Sequence, residues 1–234
     1  MINVNRVSVG KRILMIGSGN VGLIVTYQLL QSGADVVGIV EAAPIIGGYA
    51  VHSGKVCRAG VPILTSHTVL EAIPNKDKSG VVGAIIAEVD AQFKPIAGTE
   101  QFVECDTIGI AVGLSPDIAL GSMARVDFTN GGRLGGRVPM HDHDMMTTKD
   151  GIYVAGDASG VEESSSAIEE GKLAGVAAAE ALGRVDPAQA AADKAGIWES
   201  LNQLRTGPFG DGRAESKETI MNAMDQWKVE NHVR

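Results

Sequence analysis

The apolar residues of this chain fall into short runs that end on glycine or a polar residue. Residues 13–16, 35–40, 61–65, 107–112 and 152–155 are runs of four to six residues, each predicting a strand. The unbroken character of 13–16 predicts a parallel strand covered on both faces. Between the first two runs the spacing changes to a helical period. A helix is expected over about 20–30, with Val21, Ile24, Val25 and Leu29 on one face and a left-handed stop at Gly33. A short helix is expected within 51–60, and a loop or short strand over 66–72. Residues 75–80 form a turn by composition. On either side, 81–89 and 102–103 predict antiparallel strands around the polar connection 90–101.

Residues 117–149 carry few periodic apolar positions. A helix then follows over about 163–182, with Ile168, Leu173, Val176 and Ala177 as its apolar face and Gly171 and Gly175 permitting close packing. Asp186-Pro187 breaks it. Two more helices are expected, 188–204 and 214–229, parted by the Gly-Pro-Phe-Gly-Asp-Gly turn at 207–212. The alternation of strand and helix predicts an α/β fold with a doubly wound, Rossmann-like parallel sheet, an antiparallel hairpin and a helical C-terminal tail.

The first strand leads directly into Gly17-Ser18-Gly19-Asn20-Val21-Gly22. Gly-x-Gly-x-x-Gly at a strand-to-helix junction allows a tight turn, close approach of backbone to a pyrophosphate, and close packing of helix on strand. The helix N-terminus adds free N–H groups and partial positive charge. Glu41 ends the second strand at the position where an acid can hydrogen-bond a ribose diol. Val112 and Gly113 end the strand that closes such a sheet, and the glycine lets the loop lie against a ligand. No basic residue follows Glu41 closely, as a 2′-phosphate would want, which favours NAD over NADP.

Composition narrows the partners. The chain has 234 residues, 44% hydrophobic, with a net charge of -8, which argues against nucleic acid or an anionic membrane as partner. No apolar run approaches the length of a membrane span, and the first twelve residues lack a signal-peptide layout. Cys57 and Cys105 form no Cys-x-x-Cys motif and read as structural thiols in a reducing compartment. A cytoplasmic protein is expected. His141-Asp-His-Asp144 reads as a polar loop, with no metal site expected. No catalytic triad is evident. Glu162-Glu163 favours a helix start, with a place near a flavin as the alternative, and Glu169-Glu170 reads as solvated. Gly207-Pro-Phe-Gly lacks the Lys-Ser/Thr of a phosphate loop and reads as a turn.

Three segments in order, Gly17-Ser-Gly-Asn-Val-Gly22 with Glu41, Cys105-Asp-Thr-Ile-Gly-Ile-Ala-Val-Gly-Leu-Ser-Pro116, and Gly151-Ile-Tyr-Val-Ala-Gly-Asp157, resemble two-dinucleotide flavoproteins of the pyridine nucleotide-disulfide oxidoreductase superfamily. The resemblance covers most of 11–183. It implies an NAD-binding Rossmann-like domain over 1–116, a partial FAD-binding fold over 117–183 in which Gly156-Asp157 contacts the flavin's ribityl-phosphate region, and a helical tail over 184–234. It also implies the cofactors NAD and FAD, hydride transfer between nicotinamide and flavin, and a small-molecule substrate or redox partner. The family's first FAD half, with its own Gly-x-Gly-x-x-Gly, has no counterpart here. The chain is then a fragment, or takes that half from a second subunit or domain, or uses its single glycine motif for FAD. Glu41 followed by Gly47-Gly48 also resembles FAD-binding first halves, so that last reading stays open. A non-catalytic nucleotide-binding or subunit-interaction module is the further alternative. Residues 161–175 and the Gly-Pro-Phe-Gly tail are more loosely similar to amine-oxidising flavoprotein subunits such as those of opine oxidase, hydrogen cyanide synthase and sarcosine oxidase.

Overall fold

The computed structural model describes residues 2–232, apart from the side chain of residue 3, and divides into two compact units, Met1–Gly113 and Leu114–Arg234. In the first, a turn of helix (α1, Ile2–Asn5) precedes β1 (Arg12–Ile16), α2 (Asn20–Gln31), β2 (Asp35–Val40), α3 (Ala50–Arg58) and β3 (Ile63–Leu64). Next come β4 (His67–Pro74), β5 (Val81–Glu88), β6 (Gln101–Glu104) and β7 (Thr107–Ile110). Strands β3-β2-β1-β7 form one parallel sheet, and β4-β5-β6 form an antiparallel one.

The buried run in β1 follows from layers on both of its faces. Ile13 and Met15 pack with Leu23 and Leu29 of α2 and with Val36 and Ile39. Leu14, one residue out of phase, turns the other way with Val40 and meets Ala84 and Ile86 of the antiparallel sheet. Alternate side chains of one strand therefore serve two cores, and no polar residue fits between them.

Helix α2 keeps only part of the expected face: Leu29 is buried and Val25 packs against the core, but Val21 and Ile24 turn outward. Val21 and Ile24 are 49% and 38% exposed, while Gly22, Leu23, Thr26 and Leu29 are buried. The cause is Gly22: a Cβ there would lie 2.1 Å from the carbonyl oxygen of Gly17. Contact between Gly22 and the turn sets the helix rotation and carries Val21 and Ile24 outward. Gly33, at φ +89°, does end the helix in the left-handed region, one residue after its cap Ser32. Of residues 66–72, Ser66 lies in a turn and 67–72 belong to the full strand β4.

The second unit opens with α4 (Ala119–Met123) and a hairpin, β8 (Phe128–Asn130) and β9 (Arg137–Pro139), then has α5 (Ser164–Ala181), α6 (Pro187–Leu204) and α7 (Asp211–Glu230). The hairpin lies inside the segment whose sequence lacks periodicity, because each strand has only three residues. Residues 152–155 do not form a strand. Tyr153 makes one isolated bridge to Met146, and Val154 N–H donates to Met145 O. An apolar run needs a neighbouring strand to complete a ladder, and here the neighbour is a loop. Asp186 caps α6 by accepting from Ala188 N–H (2.9 Å) and Gln189 N–H (3.3 Å), with Pro187 in the first turn. Ile168 is 59% exposed, and a Cβ at Gly171 or Gly175 would meet no neighbouring element within 4 Å. Leu173 and Ala177 face inward as expected, and Ser166 and Glu170 complete that face in place of Ile168.

Candidate functional site

In the first unit, a cleft of about 410 Å³ lies at the carboxyl ends of the parallel strands. One side is the glycine turn, another is Glu41 and Ala42 after β2, a third is His67 and Thr68 of β4, and a fourth is Ala111, Val112 and Gly113 after β7. This is where open α/β sheets bind ligands.

The three glycines have different duties. Gly17 takes φ +99° and donates its N–H to Val40 O (2.8 Å); a Cβ there would stand 2.2 Å from Ala111 O. Gly22 seats the helix, as above. Gly19 is the position with nothing within 4 Å of a built Cβ, so its missing side chain leaves open space on the cleft side. Gly19 is also the N-cap of α2 and makes no side-chain cap bond, which leaves the first N–H groups of the helix for a ligand.

Glu41 is held rather than free. One carboxylate oxygen accepts from Ser18 N–H (2.8 Å) and Ser18 Oγ–H (2.7 Å), and the other from Ala43 N–H (2.8 Å). Partial burial would raise its pKa, but the hydrogen bonds from Ala43 and Ser18 outweigh that and leave it lowered. The acid is thus a fixed carboxylate at the cleft wall.

The expected cofactor residues separate accordingly. Ser18 is fully buried and its hydroxyl, which also accepts from Gly47 N–H (3.0 Å), faces Glu41. The Asn20 side chain accepts from Tyr49 N–H (2.8 Å), tying the 47–49 loop to the helix start. Val21 points outward. Val112, 68% exposed, and Gly113 border the cleft. Gly156 and Asp157 belong to the second unit, in a 3-10 turn, Gly156–Ser159; Asp157 is exposed, and Gly156 N–H donates to Glu170 (2.9 Å). Sequence reasoning misses His67, Thr68 and Ala43; the polar Thr-Ser-His-Thr following a short apolar run is the available signal.

Glu170 overturns the expectation of a solvated acid. It is 2% exposed and accepts from Gly156 N–H, from Ser159 Oγ–H (2.7 Å), and from Arg205 and Lys217 (2.7 Å). The Glu162 side chain is also buried and is gripped by Arg205 through Nε–H (3.0 Å) and Nη2–H (2.7 Å), so its main role is an ion pair rather than helix initiation. Burial raises the Glu170 pKa, but Lys217, Ser159 and Arg205 lower it by more, so the net shift is downward. Two acids and two bases thus lock the Gly156–Ser159 turn to α5, α6 and α7.

The 141–144 loop is latched in a similar way: Lys228 donates to Asp142 (2.9 Å), Lys194 to Asp144 (2.9 Å), and Trp198 Nε1–H to His143 O (3.2 Å). Among the described residues no three His, Cys, Asp or Glu side chains converge to hold a metal. Cys57 is exposed and Cys105 buried, both free.

Open space at Gly19, an uncapped helix start and a fixed carboxylate are the features that a dinucleotide cleft requires. Among the described residues the Gly-x-Gly-x-x-Gly spacing occurs once, at 17–22.

Comparison with known proteins gives the family and the fold. The profile of a family described as pyridine nucleotide-disulphide oxidoreductase matches residues 2–192. One of the subunits of the opine oxidase of Agrobacterium tumefaciens is 27% identical over 177 residues, covering 71% of this chain and 34% of that protein. A probable ferredoxin reductase, CtmF, of Castellaniella defragrans is 25% identical over 154 residues, covering 64% and 33%. The chain therefore spans about a third of the length of these relatives. The solved structure of T. acidophilum thioredoxin reductase superposes with a TM-score of 0.61 at 23% identity, covering 74% of this chain and 53% of that one, a likeness of fold.

Proposed function

The chain belongs to the pyridine nucleotide-disulphide oxidoreductase family, and from that premise we propose that it binds NAD(H) in the Gly17–Glu41 cleft as part of an oxidoreductase passing hydride between nicotinamide and flavin. FAD and NAD(P)H are the cofactors of the family. The observation that carries the reading is the pairing of an open Gly19 with a carboxylate pinned at Glu41 across one cleft.

The chain's own groups have separable tasks. The N–H groups at the start of α2 hold the pyrophosphate, and Glu41 accepts from the adenosine ribose hydroxyls while repelling a 2′-phosphate. Ser18 and Ala43 keep that carboxylate charged and aimed. Val112 and Gly113 border the cleft as it continues from the turn. When bound, the nicotinamide and flavin supply the hydride chemistry themselves, leaving the protein to orient them and exclude water. On this reading Gly156-Asp157 serves the flavin, the adenosine half of which takes its seat from a second subunit or domain. The electron partner is a small-molecule substrate or a redox protein, and the location is cytoplasmic, in keeping with two unpaired cysteines. Among the described residues no helix is long and apolar enough to cross a membrane.

A second reading places FAD at the same cleft. It is favoured by Gly47-Gly48, since Gly48 N–H donates to Ser18 O (2.9 Å) and a Cβ at Gly48 would meet Asn20 N at 3.0 Å. Titrating NADH, NADPH and FAD against the wild type and Glu41→Ala separates the readings. NADH binding that weakens about tenfold in Glu41→Ala, with NADPH weaker in the wild type, is expected from the loss of a charged hydrogen-bond acceptor. Tight FAD with no NADH binding supports the second reading, and indifference to Glu41→Ala refutes both.

A further inference from the structure

We infer that His67 selects adenine at the adenosine end of the cleft, an inference that rests on the nucleotide reading above. With pyrophosphate on the glycine turn and ribose at Glu41, the base extends past Glu41, where the cleft wall is Ala42, His67 and Thr68. His67 is fixed there twice. Its backbone N–H donates to Glu41 O (2.9 Å), and its ring Nδ1 lies 2.7 Å from Thr65 O.

A carbonyl oxygen only accepts, so Nδ1 carries the proton in that bond. The neutral ring then has an unprotonated Nε2, an acceptor for which no described residue supplies a donor. Adenine offers an exocyclic amine, which donates to such an acceptor. Hypoxanthine has a carbonyl oxygen at the same position, and two acceptors facing each other repel. Neither other wall residue makes this distinction: Ala42 has no polar side-chain atom, and the Thr68 hydroxyl both donates and accepts.

The test compares NADH with reduced nicotinamide hypoxanthine dinucleotide at pH 8.5, reading dissociation constants from dinucleotide fluorescence. The wild type is expected to bind NADH about tenfold tighter, the worth of one hydrogen bond made in one case and opposed in the other. His67→Phe should bring the ratio near one, chiefly by weakening NADH. His67→Gln, whose amide can present either its oxygen or its nitrogen, should also bring it near one while retaining NADH affinity, which guards against a folding defect in the first variant. Thr68→Val should leave the ratio as in the wild type. A wild-type ratio near one, or a tenfold ratio that survives both His67 variants, overturns the inference alone. If neither dinucleotide binds, the nucleotide reading itself falls.

Discussion

Replacing Glu170 with alanine removes one of four charges from the interior of the second unit. Arg205 keeps Glu162 through Nε and Nη2 (3.0 and 2.7 Å), but Lys217, which still donates to Ser159 O and Oγ (3.1 and 2.8 Å), has its nearest carboxylate at 3.7 Å in place of Glu170 at 2.7 Å. The Lys217 and Arg205 side chains are 2% and 5% exposed, so water cannot replace the lost carboxylate. Removing one partner of a buried ion pair costs about 3–5 kcal/mol. The Gly156 N–H loses its acceptor and adds to that cost, whereas the Ser159 hydroxyl keeps Gly156 O (2.8 Å) and Lys217 (2.8 Å). For a chain of this size that corresponds to a fall in Tm of about 10 °C. The assay is urea unfolding followed by tryptophan fluorescence, because both tryptophans, Trp198 and Trp227, lie in the second unit. Pairing Glu170→Ala with Lys217→Met removes the stranded ammonium and should restore about 2 kcal/mol of coupling. A single-variant loss below about 1 kcal/mol, as for an exposed pair, would refute the argument.

Two further predictions concern other groups. His141 is 1% exposed and, chiefly through burial and then the charge of Lys217, its pKa is lowered to about 4 from 6.5. Because the unfolded chain binds the extra proton between those values, stability is full above pH 6.5 and falls as the pH drops toward 4, by about 2 kcal/mol from pH 7 to 5. Urea midpoints at the two pH values should show that loss in the wild type and a much smaller one in His141→Asn; equal losses would contradict it. In the cleft, Gly19→Ala should leave the unfolding midpoint unchanged while abolishing NADH binding, since its Cβ enters open cleft space. Gly22→Ala should also lose about 1–3 kcal/mol of stability, because its Cβ would lie 2.1 Å from Gly17 O. Equal stability of the two variants would refute this division of roles.

What is readable from sequence is what is local. The glycine turn, the strand before it, the helix after it and Glu41 are fixed by backbone sterics within one stretch, and each is found as expected. Helix rotation is not local: Val21 and Ile24 suit an inward face by hydrophobicity, yet the contact between Gly22 and Gly17 turns them out. Glu170 reads as solvated because its counter-charges, Arg205 and Lys217, come from two later helices and only the fold brings them to α5. Residues 152–155 have strand composition but make only isolated pairings with a neighbouring loop. His67 escapes notice because a histidine gains meaning only when β4 starts beside the end of β2.

The central claim is that nicotinamide dinucleotide occupies the Gly17–Glu41 cleft, and amide chemical shifts of the labelled full chain, followed during NADH titration, test it residue by residue. The account predicts saturable shifts at Gly17, Ser18, Gly19, Asn20 and Ala43, with Gly156 and Ser159 unmoved. Shifts confined to the second unit, or none at the glycine turn at saturating NADH, would contradict it.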